Sequence, residues 1–170
     1  MTRYRILPTR SSVWIDARSN VHPIHTEAEG LEGWLELDFA DGRINVDQTP
    51  GGHLEYPVEN LKSGNALEDR ELRRRIDARR FTTIAGDLKA MKQSGDPTRY
   101  TVRGDLTFRG VTRTYEDEMT IAALDAHTVR LDGQSTFDIR DFGMEQPRIL
   151  MLKVQPEVTV RVEIIAEEEH

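Results

Sequence analysis

The segment Gly104-Asp105-Leu106-Thr107-Phe108-Arg109-Gly110-Val111-Thr112-Arg113 (GDLTFRGVTR), with Tyr100 and Val102 just ahead of it, alternates apolar and polar residues between two glycines. Tyr100, Val102, Leu106 and Phe108 share one parity, while Thr101, Arg103, Asp105, Thr107 and Arg109 hold the other. Successive side chains of a strand point to opposite faces, so the pattern predicts a strand with one dry and one wet face. The same period recurs along most of the chain. Its longest run sets Leu150, Leu152, Val154, Val158, Val160, Val162 and Ile164 against Lys153, Gln155, Glu157, Thr159, Arg161 and Glu163. Shorter runs lie at 13–17, 34–39, 43–46, 82–88, 115–121, 129–131 and 135–139. Turn signals fall between them at Asp41-Gly42, Pro50-Gly51-Gly52, Ser94-Gly95-Asp96-Pro97 and Asp132-Gly133.

About eight or more antiparallel strands with short connections predict a barrel or a sandwich. The barrel is preferred because so many strands carry a single apolar face. One segment breaks the strand period: over 65–78 the sequence predicts a helix of about three turns. Asn65 can cap it, Glu68 follows at the capping-box spacing, and Glu71 and Arg75 form an i,i+4 pair. Its narrow apolar stripe, Leu72 and Ile76, suits a helix laid across one end of a barrel.

The 170-residue length fits one domain over 1–170 with a sizeable core. A net charge of −7 disfavours the surface attraction on which nucleic-acid binders rely. Arginines 70, 73, 74, 75, 79 and 80 are interleaved with Glu68, Asp69, Glu71 and Asp77, which reads as a salt-bridged, solvated helix. With no cysteine there is neither a disulfide nor a thiolate nucleophile. The N-terminus shows no apolar run of signal length, so the chain as written reads as cytoplasmic, or as periplasmic or secreted if a leader was trimmed.

Candidate chemistry is sparse. His22 and His25 are the most metal-like or enzyme-like pair, but residues three apart on a strand point to different sides and no third ligand can be placed beside them. No metal and no cofactor are expected. Asp141-Phe142-Gly143 matches a kinase tripeptide without the rest of a kinase, and reads as a turn that ends a strand. No serine sits in a nucleophile-elbow setting, and no catalytic residue is assigned.

The order of residues in GDLTFRGVTR is more specific than alternation requires. It resembles the G-x-L-T-x-R-G-V-T signature of the YceI-like family through Gly104, Leu106, Thr107, Arg109, Gly110, Val111 and Thr112. Tyr4-Arg5-Ile6-Leu7-Pro8 and Ser12-Val13-Trp14-Ile15 are similar to the family's opening strands, with Leu7 in place of the usual aspartate. Leu61 to Gly64, Leu72-Arg73, Arg80-Phe81 and Ile84 resemble the elements around its crossing helix, with Glu71 where a histidine is usual. Phe137 to Gly143 resembles its late F-x-I-x-R-x-D-F-G segment, shortened. The resemblance runs from about Tyr4 to Ile164. It implies an all-β, lipocalin-like antiparallel eight-stranded barrel, with one helix capping or crossing its end, that holds an isoprenoid or other long-chain lipid.

On this reading the lipid contacts are Val13, Ile15, Leu72, Ile76, Phe81, Ile84, Leu106, Phe108, Met119, Ile121, Phe137, Ile139, Val158, Val160 and Val162. Alternation alone leaves open whether side chains fill the barrel or a guest does, since eight strands suit either. Two other functions stay open at this stage. One is a filled, stress-related interaction module acting through its surface, with a homodimer among its arrangements; the other is an enzyme on a lipid-like substrate using mouth histidines. A histidine converging with a carboxylate inside a pocket would favour the enzyme.

Overall fold

A computed structural model describes residues Met1–His170, apart from the side chain of Ile149. Its strands are β1 (Thr2–Ile6), β2 (Ser12–Ser19), β3 (Pro23–Ala28), β4 (Glu32–Leu37), β5 (Phe39–Ala40), β6 (Arg43–Ile44), β7 (Gly51–Pro57), β8 (Leu61–Lys62), β9 (Thr83–Gln93), β10 (Arg99–Phe108), β11 (Val111–Ala123), β12 (Thr128–Asp138), β13 (Arg148–Ile149) and β14 (Leu152–Glu168). The helix α1 spans Ala66–Ile76. Three pairs of short strands are halves of longer bent ones. β1 and β2 are separated by a 3-10 turn at Pro8–Arg10, β7 and β8 by another at Val58–Asn60, and β3 and β4 meet near Gly30, whose φ is +82°.

β1 pairs with β4 and β2 with β3, while β4 pairs with β7 and β3 with β8. From there β9, β10, β11, β12 and β14 follow in order, every pairing antiparallel. β14 closes the ring by pairing with β2 and then β1 along its second edge. Counting each bent strand once, the result is the expected up-and-down barrel of eight strands. Closure leaves no long unpaired edge.

Two lids cover its ends. At one end the β5–β6 hairpin lies over Tyr100, whose hydroxyl accepts a hydrogen bond from the buried Ile44 N–H (2.9 Å) and donates to the Pro97 carbonyl (3.0 Å). Tyr100→Phe would leave that N–H without its partner inside the protein. We expect it to cost about 1–3 kcal/mol, read as a lower urea midpoint with unchanged slope.

At the other end sits α1, begun as the sequence indicates: the Asn65 side chain accepts from the Leu67 and Glu68 N–H groups. The capping box is only half formed, because the Asn65 N–H donates to Ser63 Oγ and not to Glu68. Glu71 accepts from both Arg74 and Arg75, so this part of the arginine cluster is neutralised within the helix.

Three sequence readings are corrected. Asp132-Gly133 is no turn: β12 runs through it, and Gly133 sits opposite Met119, where an added Cβ would lie 2.7 Å from Met119 Cε. Gly51-Gly52 likewise belongs to a strand, β7. Leu150 does not continue the inward face of β14. It occupies the two-residue turn between β13 and β14 and is 95% exposed.

Candidate functional site

Burial along single strands shows how the interior is used. On β14, Ile164 and Ala166 are sealed, whereas Val158, Val160 and Val162, at the same parity, are only partly buried. On β10, Tyr100 is sealed while Val102, Leu106 and Phe108 are not, and on β11 Ile121 is sealed while Met119 is not. The barrel is therefore packed at the Tyr100 end and hollow toward α1. The hollow is a cavity of about 350 Å³, near the lower bound of small-molecule pockets.

The hollow level coincides with glycines in the wall. Gly86, Gly104 and Gly133 line the cavity. A Cβ at Gly86 would come within 3.3 Å of Leu54, and one at Gly104 would meet the Asp87 carbonyl oxygen at 2.9 Å. Beside Gly104 the β9–β10 register shifts, so the inward position moves from Met91 to Leu88 across a bulge. The glycines let neighbours approach closely: Gly86 gives room to Leu54, Gly133 to Met119, and Gly104 to the Asp87 backbone.

Of the residues expected to contact a ligand, Val13, Ile15, Leu72, Ile76, Ile84, Leu106, Phe108, Met119, Ile121, Phe137, Ile139, Val158, Val160 and Val162 line this cavity. Phe81 does not. It lies beyond the helix against Gly110, where an added Cβ would be 2.8 Å from its ring, with the Arg80 guanidinium over its face. Lining residues that the sequence reading missed include Leu54, Tyr56, Leu88, Tyr115, Phe142 and Met144. Tyr115 and Phe142 extend an aromatic cluster with Phe108 and Phe137 under the helix end.

Charge at the cavity is one-sided. Glu68, Asp69, Asp87, Asp105 and Asp117 are among its lining residues, and no lysine, arginine or histidine is. Of these acids, Asp87 and Asp105 stand at the outward parity of β9 and β10 and turn their carboxylates to the outer face, toward His53 and Thr114. The acids are largely occupied. Asp69 accepts from the Ser63 N–H and hydroxyl, Asp117 from Ser135 at 2.6 Å, and Asp105 from Thr114 at 2.7 Å. Tyr56 is buried among the lining residues, and its hydroxyl has no hydrogen-bond partner among the described residues. Burial pushes its pKa upward, so the phenol is neutral and can still donate or accept one bond.

The residues of GDLTFRGVTR now have roles. Arg109 and Gly110, with φ of +52° and +72°, make the tight β10–β11 turn. The Arg109 guanidinium then donates to the carbonyls of Ile76 (3.4 Å), Phe142 (3.2 Å) and Gly143 (2.5 Å). Arg113 donates to the Asp141 carbonyl at 3.0 Å. Helix end, turn and the 3-10 segment Ile139–Phe142 are thus tied together over one end of the cavity.

The histidines do not converge. His25 pairs with Asp16, while His22 bonds the Pro23 carbonyl and lies 3.6 Å from Glu68, beyond hydrogen-bond length. His53 sits between Asp87 (2.8 Å) and Glu55 (3.3 Å), a third exposed. The Asp87 hydrogen bond, with Glu55 adding to it, holds its pKa above the ordinary value. Protonation is thus favoured in the folded chain. This contribution to stability is fully present below about pH 6.5 and lost as pH rises through the raised value. A comparison of melting temperatures across that range should show His53→Gln with a flatter pH dependence than the parent; parallel curves would refute the assignment.

An apolar hollow in a closed antiparallel barrel, capped by one helix, is an architecture that can enclose one small apolar ligand. The YceI-like domain model matches residues 4–166, and the chain belongs to that family. Its fold is similar to that of Burkholderia cenocepacia BcnA (TM-score 0.79, 16% identity, 94% of this chain and 98% of that one). It is also similar to a polyisoprenoid binding domain from Saccharophagus degradans implicated in plant cell wall breakdown (TM-score 0.77, 12% identity, 99% and 100%). A third likeness is to the Campylobacter jejuni YceI protein (TM-score 0.69, 14% identity, 85% of each chain). No curated protein sequence matches the chain. No described helix is long and apolar enough to cross a membrane.

Proposed function

We propose that this protein binds and carries one long-chain lipid, of isoprenoid or similar apolar type, without transforming it. The observation that carries the reading is the half-hollow barrel: on single strands the inward apolar face passes from sealed to only partly buried, around a cavity of about 350 Å³. Each CH₂ transferred from water contributes about 0.8 kcal/mol, so ten carbons contribute roughly 8 kcal/mol before association costs, with no charged clamp needed. Family membership and the polyisoprenoid-binding neighbour support this reading over catalysis.

The lining also selects a head group. A carboxylate or diphosphate inside this cavity would find Glu68, Asp69 and Asp117 among the lining residues and no cation, an uncompensated burial of charge. The fitting ligand is a neutral lipid whose hydroxyl or carbonyl bonds Tyr56. Organic extraction of the purified protein followed by mass spectrometry should recover such a lipid. Recovery of none after expression in a lipid-rich host, together with no uptake on titration, would refute the carrier reading; recovery of a prenyl diphosphate or fatty acid would refute the head-group selection.

A further inference from the structure

At the α1 end of the barrel, β13 and β14 form a hairpin whose base belongs to the cavity wall and whose tip projects beyond it. Pro147 and Val154, which line the cavity, are joined by a 3.0 Å bond from the Val154 N–H to the Pro147 carbonyl. The tip is the two-residue turn Leu150-Met151, 95% and 86% exposed. They are the two most exposed large apolar side chains among the described residues.

Two further features of the tip are unfavourable in water. Leu150 has φ +55°, a conformation that glycine or asparagine takes easily and a branched apolar residue does not. Just below it Arg148 and Lys153 sit directly opposite each other across the two strands, a like-charged cross-strand pair. Two acids of this end are engaged elsewhere, Glu145 with Arg75 and Asp138 with Arg140. Neither Arg148 nor Lys153 forms an ion pair among the described residues.

The tip is also held in place. Asn20, in the neighbouring β2–β3 turn, donates through its side chain to the Met151 carbonyl (3.0 Å) and accepts from the Lys153 N–H (2.7 Å). Its own N–H donates to the Lys153 carbonyl at 3.1 Å. The next residue, Val21, is itself 67% exposed, adding a third apolar side chain beside the other two.

We propose that this tip docks on an anionic lipid bilayer. Leu150, Met151 and Val21 enter the interface between acyl chains and head groups, and Arg148 and Lys153 meet the phosphates. The environment that removes the cost of an exposed apolar tip is hydrocarbon, and the one that removes the cost of an unpaired basic pair is a layer of phosphate. The chain's overall charge of −7 opposes any broad electrostatic attachment, so docking is local and oriented, with the α1 end of the cavity toward the membrane. The proposal rests on the carrier reading for its purpose, since that end is where a lipid would pass between bilayer and barrel.

The test is sedimentation of the full chain with phosphatidylcholine vesicles, with and without about 30 mol% phosphatidylglycerol, the anionic lipid that creates the surface potential. Wild type should sediment with the anionic vesicles and lose binding with added salt. Leu150→Asn/Met151→Asn should weaken partitioning at least about tenfold, while melting at the same temperature or higher because asparagine tolerates the turn. Arg148→Gln/Lys153→Gln should lose roughly fivefold per charge on anionic vesicles and little on neutral ones. Wild type that sediments with neither vesicle, or a Leu150→Asn/Met151→Asn variant that binds as well as wild type, overturns the proposal. Prenol uptake from detergent solution by the same preparations separates the two ideas. Uptake without docking sinks docking alone, and docking without uptake sinks the carrier reading alone.

Discussion

Val160→Phe should abolish most lipid retention while leaving the lipid-free protein as stable as the parent, or more so. Val160 sits mid-strand on β14, in register with Ile15 on one side and Ser135 on the other, and it lines the cavity. In a filled core the added ring would cost about 1–3 kcal/mol through displaced rotamers. Here it enters the cavity of about 350 Å³ that Val160 lines, gaining contacts there and excluding the guest. Thr159→Phe, at the outward position, is the control: its partner is the Thr136 hydroxyl on the outer face, 3.2 Å away, and lipid content should not change. Mass spectrometry of extracts together with melting curves reads both quantities. Destabilisation by Val160→Phe with unchanged lipid would show that the cavity does not hold the guest.

Arg109→Ala should produce the largest loss of stability, about 2–4 kcal/mol, measured by urea unfolding. The substitution removes a charged donor from three carbonyls and leaves a non-glycine residue at φ +52°. Against a total stability of about 5–15 kcal/mol this is a substantial fraction. Arg109→Gly should be milder by about 1 kcal/mol, because glycine takes the turn conformation freely while still lacking the guanidinium. Both variants should exchange bound lipid faster, since the helix end and the Ile139–Phe142 segment lose their shared tie. Equal stability of the alanine variant and the parent would remove Arg109 from this role.

The parts of the structure legible in the sequence are those governed by a two-residue period. Leu106, Phe108, Val158, Val160 and Val162 share the cavity wall because a strand sends alternate side chains to one side, and that needs no knowledge of neighbours. Leu72 and Ile76 were legible for the corresponding reason on a helix. Phe81 lies past the helix, where no period constrains direction, and its packing against Gly110 depends on a contact distant in sequence. Asp132-Gly133 imitates a turn because glycine marks both tight turns and places where a neighbouring side chain needs room; only Met119 across the sheet distinguishes them.

Whether the barrel is filled or hollow was not legible from alternation. Val160 and Ile164 have the same parity on the same strand, yet Ile164 is sealed and Val160 only partly buried, a difference that parity does not carry. The inward glycines at 86, 104 and 133 line the cavity, but they do not signal it, since Leu54 and Met119 occupy the room beside two of them. Tyr56 was illegible for another reason: a tyrosine on the dry face usually finds a partner for its hydroxyl, and only the three-dimensional arrangement shows this one without a protein partner.

Native mass spectrometry of the delipidated wild-type chain titrated with a long-chain prenol tests the central claim most directly. The half-hollow barrel predicts a single adduct saturating at one prenol per chain and surviving desolvation, as expected of a ligand enclosed by the wall and α1. A chain that stays unliganded through the titration, or that takes up prenol in several weak steps without saturating, would contradict it.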